Sequence, residues 1–133
     1  MEKYIGTKLI EAEPMVKIDT LYGNGHNYGA SLEGYKVKYP DGYESWSPKD
    51  VFEEAYRKTD NLSFGMAFDM LKKGLFKGMR LSQWKPDVVI RIQFPNENSK
   101  MTAPYLYVES RFGKVPWKET MIELFSEQWQ LVE

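Results

Sequence analysis

The chain contains no cysteine and only one histidine. Disulfides, thiol nucleophiles and thiolate metal sites are thereby excluded. Net charge is equally scarce, a formal −1. The chain as a whole therefore offers no basic field to attract a DNA or RNA duplex. No apolar run approaches the ~18 residues that a membrane-spanning helix needs. The N-terminus, Met1-Glu2-Lys3-Tyr4, is polar and lacks the apolar stretch of a signal peptide. The expectation is a cytoplasmic protein with no membrane partner.

What is abundant is aromatic side chain, 15% of the 133 residues, in a chain that is 42% apolar and 28% charged. That composition folds, and it has more rings than a minimal core requires, so some are expected to face a ligand or partner. Charge is unevenly spread. Residues 1–60 hold 8 Lys/Arg and 11 Asp/Glu, whereas residues 61–133 hold 10 and 8. An anion is better placed in the second half.

Periodicity and turn chemistry divide the chain into two parts, residues 1–60 and residues 61–133. In the first, Lys3 to Glu13 reads as extended, ended by Pro14, and residues 19–34 read as a long Gly/Asn-rich loop. Gly34 to Tyr39 alternates apolar and charged residues like a half-buried strand. Pro40-Asp41-Gly42 marks a tight turn, and Tyr43 to Trp46 returns as the partner strand. A helix follows, with Ser47 as cap, Pro48 in its first position and Asp50 as capping acid. Arg57 to Asn61 is the expected boundary.

In the second part Ser63 caps a helix whose apolar face is Phe64, Ala67, Phe68 and Leu71, and Gly74 ends it. Lys77 to Ser82, Val88 to Phe94 and Met101 to Glu109 read as strands. Pro95 to Ser99 and Arg111 to Gly113 are turns. Thr120 and Glu123 form a second capping box on a short helix ending near Ser126. Gln128 to Val132 is a terminal strand. The fold class is α+β: a small N-terminal hairpin-plus-helix module, then an amphipathic helix on an antiparallel sheet with a short C-terminal helix and strand.

Catalytic chemistry has few candidates. His26 stands alone in a Gly/Asn-rich loop, where solvent exposure is the usual state, and metal sites need several ligands. No helix start follows Tyr22-Gly23-Asn24-Gly25-His26, which argues against a phosphate loop. No serine has a base in a recognisable motif. No catalytic group, metal or cofactor is expected, and the chain reads as a binding protein rather than an enzyme. The rings that stand out are Trp84, Tyr105, Tyr107, Trp117 and Trp129. Trp129 is read as core. Trp84 and Trp117 lie at element ends, where packing and ligand stacking are both open, and a stacked base is worth ~1–3 kcal/mol. Arg80, Arg91, Lys100 and Arg111 are near enough in sequence to meet phosphate.

Several motifs together resemble a phage protein family. They are Phe64-Gly65-x-Ala67, Leu71-Lys72-x-Gly74, Trp84, the run Asn98-Ser99-Lys100-Met101-Thr102-x-Pro104-Tyr105, and Val115-Pro116-Trp117 followed by a capped turn and Trp129. Spread from about Leu62 to Glu133, they resemble the second Thoeris anti-defence family, and the Asn98–Tyr105 run is the most specific piece. The resemblance implies a sponge. Such proteins hold a bacterial immune signalling nucleotide, glyco-cyclic ADP-ribose or a cyclic dinucleotide of CBASS systems, without cleaving it. They work as homo-oligomers, tetramers or dimers, in the host bacterial cytoplasm, with sites between protomers. Carried across, it implies ligand roles for Trp84, Trp117, Asn98, Lys100, Thr102 and Tyr105, with Glu123 at the family's acidic position; Arg80 joins them as a phosphate contact read from the residues alone. Thr120 and Glu123 replace the family's usual Ser and Asp, Met121 a usual Gln, and Gln128 a usual Asp. The stretch from Leu75 to Gln83 is about two residues longer than in the family and lacks its Gly before the Trp. Residues 1–60 resemble a module often fused to such domains, read here as a stabilising or oligomerising appendage. The first rival to sequestration is a protein-interaction module that blocks a host defence protein directly; the second, an enzyme that degrades the messenger, is disfavoured by the scarcity of His, Cys and metal-ligand chemistry.

Overall fold

A computed structural model describes residues 1–20 and 29–133. Two compact units emerge, Met1–Tyr56 and Arg57–Glu133. The Tyr22–His26 segment, and with it His26, lies outside the described residues.

Among the described residues, the N-terminal unit is a three-stranded antiparallel sheet with one short helix. Strand β1 (Glu11–Thr20) pairs with β2 (Gly29–Lys38), and β2 with β3 (Glu44–Pro48). Strand β1 lies later than the extended segment read from Lys3 to Glu13, and both strands reach into the stretch 19–34 read as a loop, β1 through Thr20 and β2 from Gly29, because the ladder between them continues there. Pro14 does not end an extended segment; it sits inside β1 opposite Tyr35. Proline is tolerated there because β1 is an edge strand, paired on one side only. Residues 1–10 have no regular structure. The turn after β2 forms as expected, with Gly42 N donating to Tyr39 O at 2.9 Å and Tyr39 N to Tyr43 O at 2.8 Å.

Helix α1 (Lys49–Ala55) starts one residue later than its capping signals indicate. Ser47 belongs to β3, so Pro48 occupies the cap position and no side chain caps the helix. Phe52 of α1 stacks between Tyr35 and Tyr56, at 4.1 and 5.1 Å between ring centroids. Val37 is buried, at 2% exposure. On the other face Trp46 lies across the sheet and donates its indole N–H to Met15 O at 3.0 Å. Gly34 makes that possible: a Cβ there would meet the Trp46 ring at 2.4 Å.

The C-terminal unit is a five-stranded antiparallel sheet in the order β7-β6-β5-β4-β8. Its strands are β4 (Gly78–Leu81), β5 (Val89–Gln93), β6 (Tyr105–Ser110), β7 (Gly113–Pro116) and β8 (Trp129–Val132). Strand β7 was not anticipated: its four exposed residues carry no alternation, and only the ladder to β6 defines it. The strand expected from Met101 begins instead at Tyr105, immediately after Pro104.

Helix α2 (Phe64–Lys72) covers one face of this sheet. Ser63 Oγ accepts from Met66 N, as a cap should, and Gly74 ends the helix at φ +74°. Strand alternation sends Met79 and Leu81 of β4, Ile90 of β5 and Trp129 of β8 to the helix side, where they join Leu62, Ala67 and Leu71 in one buried cluster. Helix α3 (Met121–Phe125) has the full capping box: Glu123 N donates to Thr120 Oγ1 at 3.3 Å, and Thr120 N to Glu123 Oε1 at 2.8 Å. Sheets and helices together make the chain α+β. Among the described residues, no helix is long and apolar enough to cross a membrane.

Candidate functional site: an aromatic cluster on the helix side of the sheet

Trp129 is the hub. It has 0% exposure, and its Nε1 donates to Glu123 O at 2.9 Å, tying α3 to the core. Three further rings surround it. Trp84 and Trp117 meet it edge-on, with centroids 5.4 and 6.1 Å away and an interplanar angle of 83° in both pairs. Phe64, from the first turn of α2, lies 5.5 Å from Trp129 and 5.8 Å from Trp117. Edge-to-face packing of this kind adds about 0.5–1.5 kcal/mol per pair beyond area burial. Phe64 reads in the sequence only as part of a helical stripe; its place between two tryptophans requires the fold.

Trp84 and Trp117 are each half-buried, so part of each ring faces outward. Trp117 arrives there because the ladder continues past β7: its N–H donates to Leu106 O at 2.9 Å. Trp84 sits in the turn after β4, its N–H bonded to Leu81 O at 3.1 Å. Neither indole N–H has an acceptor among the described residues, in contrast to that of Trp129. Glu123 is occupied by the capping box, and its carbonyl by Trp129.

The other expected site residues fall elsewhere. Tyr105 and Tyr107 alternate with Leu106, which packs against the core, and so occupy the opposite sheet face, with centroids 6.4 Å apart. There they line, with Gln93, Lys114, Val115 and Pro116, a shallow cavity of about 120 Å³. Arg91 shares that face. Its Nε donates to Glu109 at 2.6 Å and its Nη1 to Lys77 O at 3.0 Å. The guanidinium holds the Glu109 carboxyl below the usual carboxylate range. Arg80 is also on this face, and its two terminal nitrogens donate to Gln130 Oε1, Trp84 O and Lys85 O. Asn98, Lys100 and Thr102 are exposed in the β5–β6 connection. Asn98 N donates to Asn96 Oδ1 at 2.8 Å, which shapes the turn and leaves the Asn98 amide side chain outward. At the far end of the sheet, Arg111 N donates to Asp87 Oδ2 at 3.1 Å and holds that carboxyl below its ordinary value. The Arg111 guanidinium lies over the Phe112 ring, 4.9 Å from its centroid.

The residues expected to form one pocket are thus split within the chain. Trp84 and Trp117 gather on the helix side, whereas Tyr105, Arg80 and Arg91 lie on the reverse. Beside the Trp cluster, α3 exposes Met121, Ile122 and Phe125 at 64%, 80% and 81%. Nothing in the sequence distinguished these three from the inner face of a short helix. Among the described residues, no group of His, Cys, Asp and Glu could hold a metal ion.

No curated protein matches the chain. Residues 62–132, just over half of it, match the family model of the Thoeris anti-defense 2-like (Tad2-like) domain. That stretch holds α2, the whole five-stranded sheet and every ring of the cluster. The chain therefore belongs to the Thoeris anti-defense 2-like family, which gives it a phage anti-defence role.

Proposed function

We propose that this protein acts by sequestration: it binds a bacterial immune signalling nucleotide, glyco-cyclic ADP-ribose or a cyclic oligonucleotide, and holds it uncleaved in the host cytoplasm. The observation that carries the reading is the pair of half-buried tryptophans fixed edge-on against Trp129. Rings held this way lose little freedom on stacking, which favours binding of a flat base. Their indole N–H groups remain available as donors. Asn98, Lys100 and Thr102, exposed on the β5–β6 connection, and Tyr105 beyond it supply ribose and phosphate contacts. Because the Trp and Tyr groups lie on opposite sheet faces, a pocket using both is built from two copies of the chain, a homodimer or homotetramer. The rings of the cluster carry neither nucleophile nor general base, which supports binding without cleavage.

Titration calorimetry with glyco-cyclic ADP-ribose and a panel of cyclic oligonucleotides tests this. Binding at micromolar concentration or below is expected, with intact nucleotide recovered after denaturation. Absence of binding across the panel defeats the sequestration reading, and a cleaved product defeats its non-catalytic part.

A second reading has its own observation. Met121, Ile122 and Phe125 project from a helix locked by its capping box, a rigid apolar patch of the kind that marks protein contacts. Direct inhibition of a host defence protein would use such a patch. A pull-down of one host protein by nucleotide-free protein, lost in Ile122→Asp, would favour it.

A further inference from the structure

Arg80 occupies a place where stability alone does not call for a charge. Its side chain is half-buried on the sheet face opposite α2, and its Nε is buried without a partner. An unpaired buried donor costs free energy, and an apolar side chain of similar volume would avoid that cost. What an apolar residue could not do is make the remaining bonds. Arg80 Nη1 donates to Gln130 Oε1 at 3.1 Å, across to β8. Arg80 Nη2 donates to two successive carbonyls, Trp84 O at 2.5 Å and Lys85 O at 2.9 Å.

Those carbonyls belong to the turn between β4 and β5. The turn's own backbone bonds are few: Trp84 N to Leu81 O at 3.1 Å and Val88 N to Lys85 O at 3.0 Å. Pro86 contributes no N–H of its own. The guanidinium therefore holds the turn from one side of the sheet, while the Trp84 ring packs on Trp129 on the other. A planar fork with several donors can bridge two carbonyls and a strand partner at once; a single ammonium on a flexible stem cannot do so with the same geometry.

From this we infer that Arg80 is a positioning residue for Trp84. It acts on the ligand by pinning the turn that carries the ring, and it makes no phosphate contact of its own. The inference rests on the reading that Trp84 stacks on the bound nucleotide.

A double-mutant cycle tests it, with glyco-cyclic ADP-ribose as the titrated probe and the full chain throughout. Arg80→Met is expected to weaken binding roughly tenfold, the scale of a coupled neighbour. In the Trp84→Ala background the same change should cost less than about twofold, because the route through the ring is already gone. Arg80→Lys should not restore affinity. Two readouts need no ligand. Hydrogen exchange at the Trp84 and Val88 amides should quicken in Arg80→Met while the β4 and β5 ladder amides stay protected. The exciton circular-dichroism signal of the Trp84–Trp129 pair should weaken. Should Arg80→Met fail to fold, Arg80→Lys carries the same cycle. Losses that multiply in the double variant would overturn the inference, since Arg80 would then touch the ligand itself. Unchanged exchange in the turn would overturn it as well. If Trp84→Ala binds like the wild type, the stacking role of Trp84 fails and takes the inference with it. If Trp84→Ala weakens binding and Arg80→Met does not, only the inference fails.

Discussion

Replacing Trp117 by alanine separates packing from ligand contact, because the ring packs on Phe64 and Trp129 and, under the proposed function, also stacks on the nucleotide. A fully buried aromatic truncated to alanine costs about 3–5 kcal/mol. Trp117 is half-buried and touches Phe64 and Trp129 along one side, so roughly half of that, about 2 kcal/mol, is expected. For a unit the size of Arg57–Glu133, each kcal/mol moves the melting temperature by about 4–8 °C. The variant should thus melt about 8–16 °C below the wild type but remain folded at 25 °C. Binding should fall further than stability alone predicts. Losing one stacked base at ~1–3 kcal/mol lowers affinity by about 5- to 150-fold. Trp117→Phe keeps a ring against Phe64 and should recover most of the stability with only part of the affinity. Differential scanning fluorimetry and calorimetry on the same preparations read both quantities. A variant that melts as expected yet binds glyco-cyclic ADP-ribose like the wild type would show the ring to be packing alone. A variant that melts like the wild type would refute the burial reasoning itself.

In the N-terminal unit, Gly34→Ala should destabilise by about 1–3 kcal/mol, since the added carbon meets the Trp46 ring and Ser47 O at 2.4 Å; near-UV circular dichroism during urea unfolding would report it, and an unchanged midpoint would mean the ring moves freely. Thr120→Ala should cost about 1 kcal/mol by removing the α3 cap, measured as a shift in the urea midpoint, and Thr120→Ser should largely preserve it. The carboxyls of Asp87 and Glu109 are both held below their ordinary values, by the Arg111 N–H and by Arg91 respectively. Their folded pKa values lie below the unfolded ones, so their stabilisation is complete above the ordinary carboxylate range and is lost as pH falls through the folded values. The denaturation midpoint should therefore decline from about pH 5 downward, and Glu109→Gln should flatten that decline while lowering the midpoint at neutral pH.

Local signals were the most legible part of the sequence. Ser63 as cap, Gly74 as terminator, the Thr120/Glu123 box and the Pro40–Gly42 turn all form as their chemistry dictates, because each depends on neighbours within a few residues. The shifts arose where pairing overrode local preference. Pro14 reads as a stop, but an edge strand accommodates it. Ser47 reads as a cap, but its pairing with Tyr35 draws it into β3. Strand β7 has no apolar alternation and exists through its ladder to β6.

The sequence by itself determined the α+β class, the amphipathic helix, the motif set that marks the Thoeris anti-defense 2-like family, and the burial of Trp129. These follow from periodicity, capping and residue identity, which are properties of the linear chain. Only the tertiary structure decided which rings meet. Strand alternation is set by register, and register sends Trp117 to the helix side with Trp84 while placing Tyr105, Arg80 and Arg91 on the reverse. Residues close in the sequence motif are thereby separated by the thickness of a sheet. Phe64 and Trp129, 65 positions apart in the numbering, come within 5.5 Å, because each fills the space that the other leaves in a close-packed core.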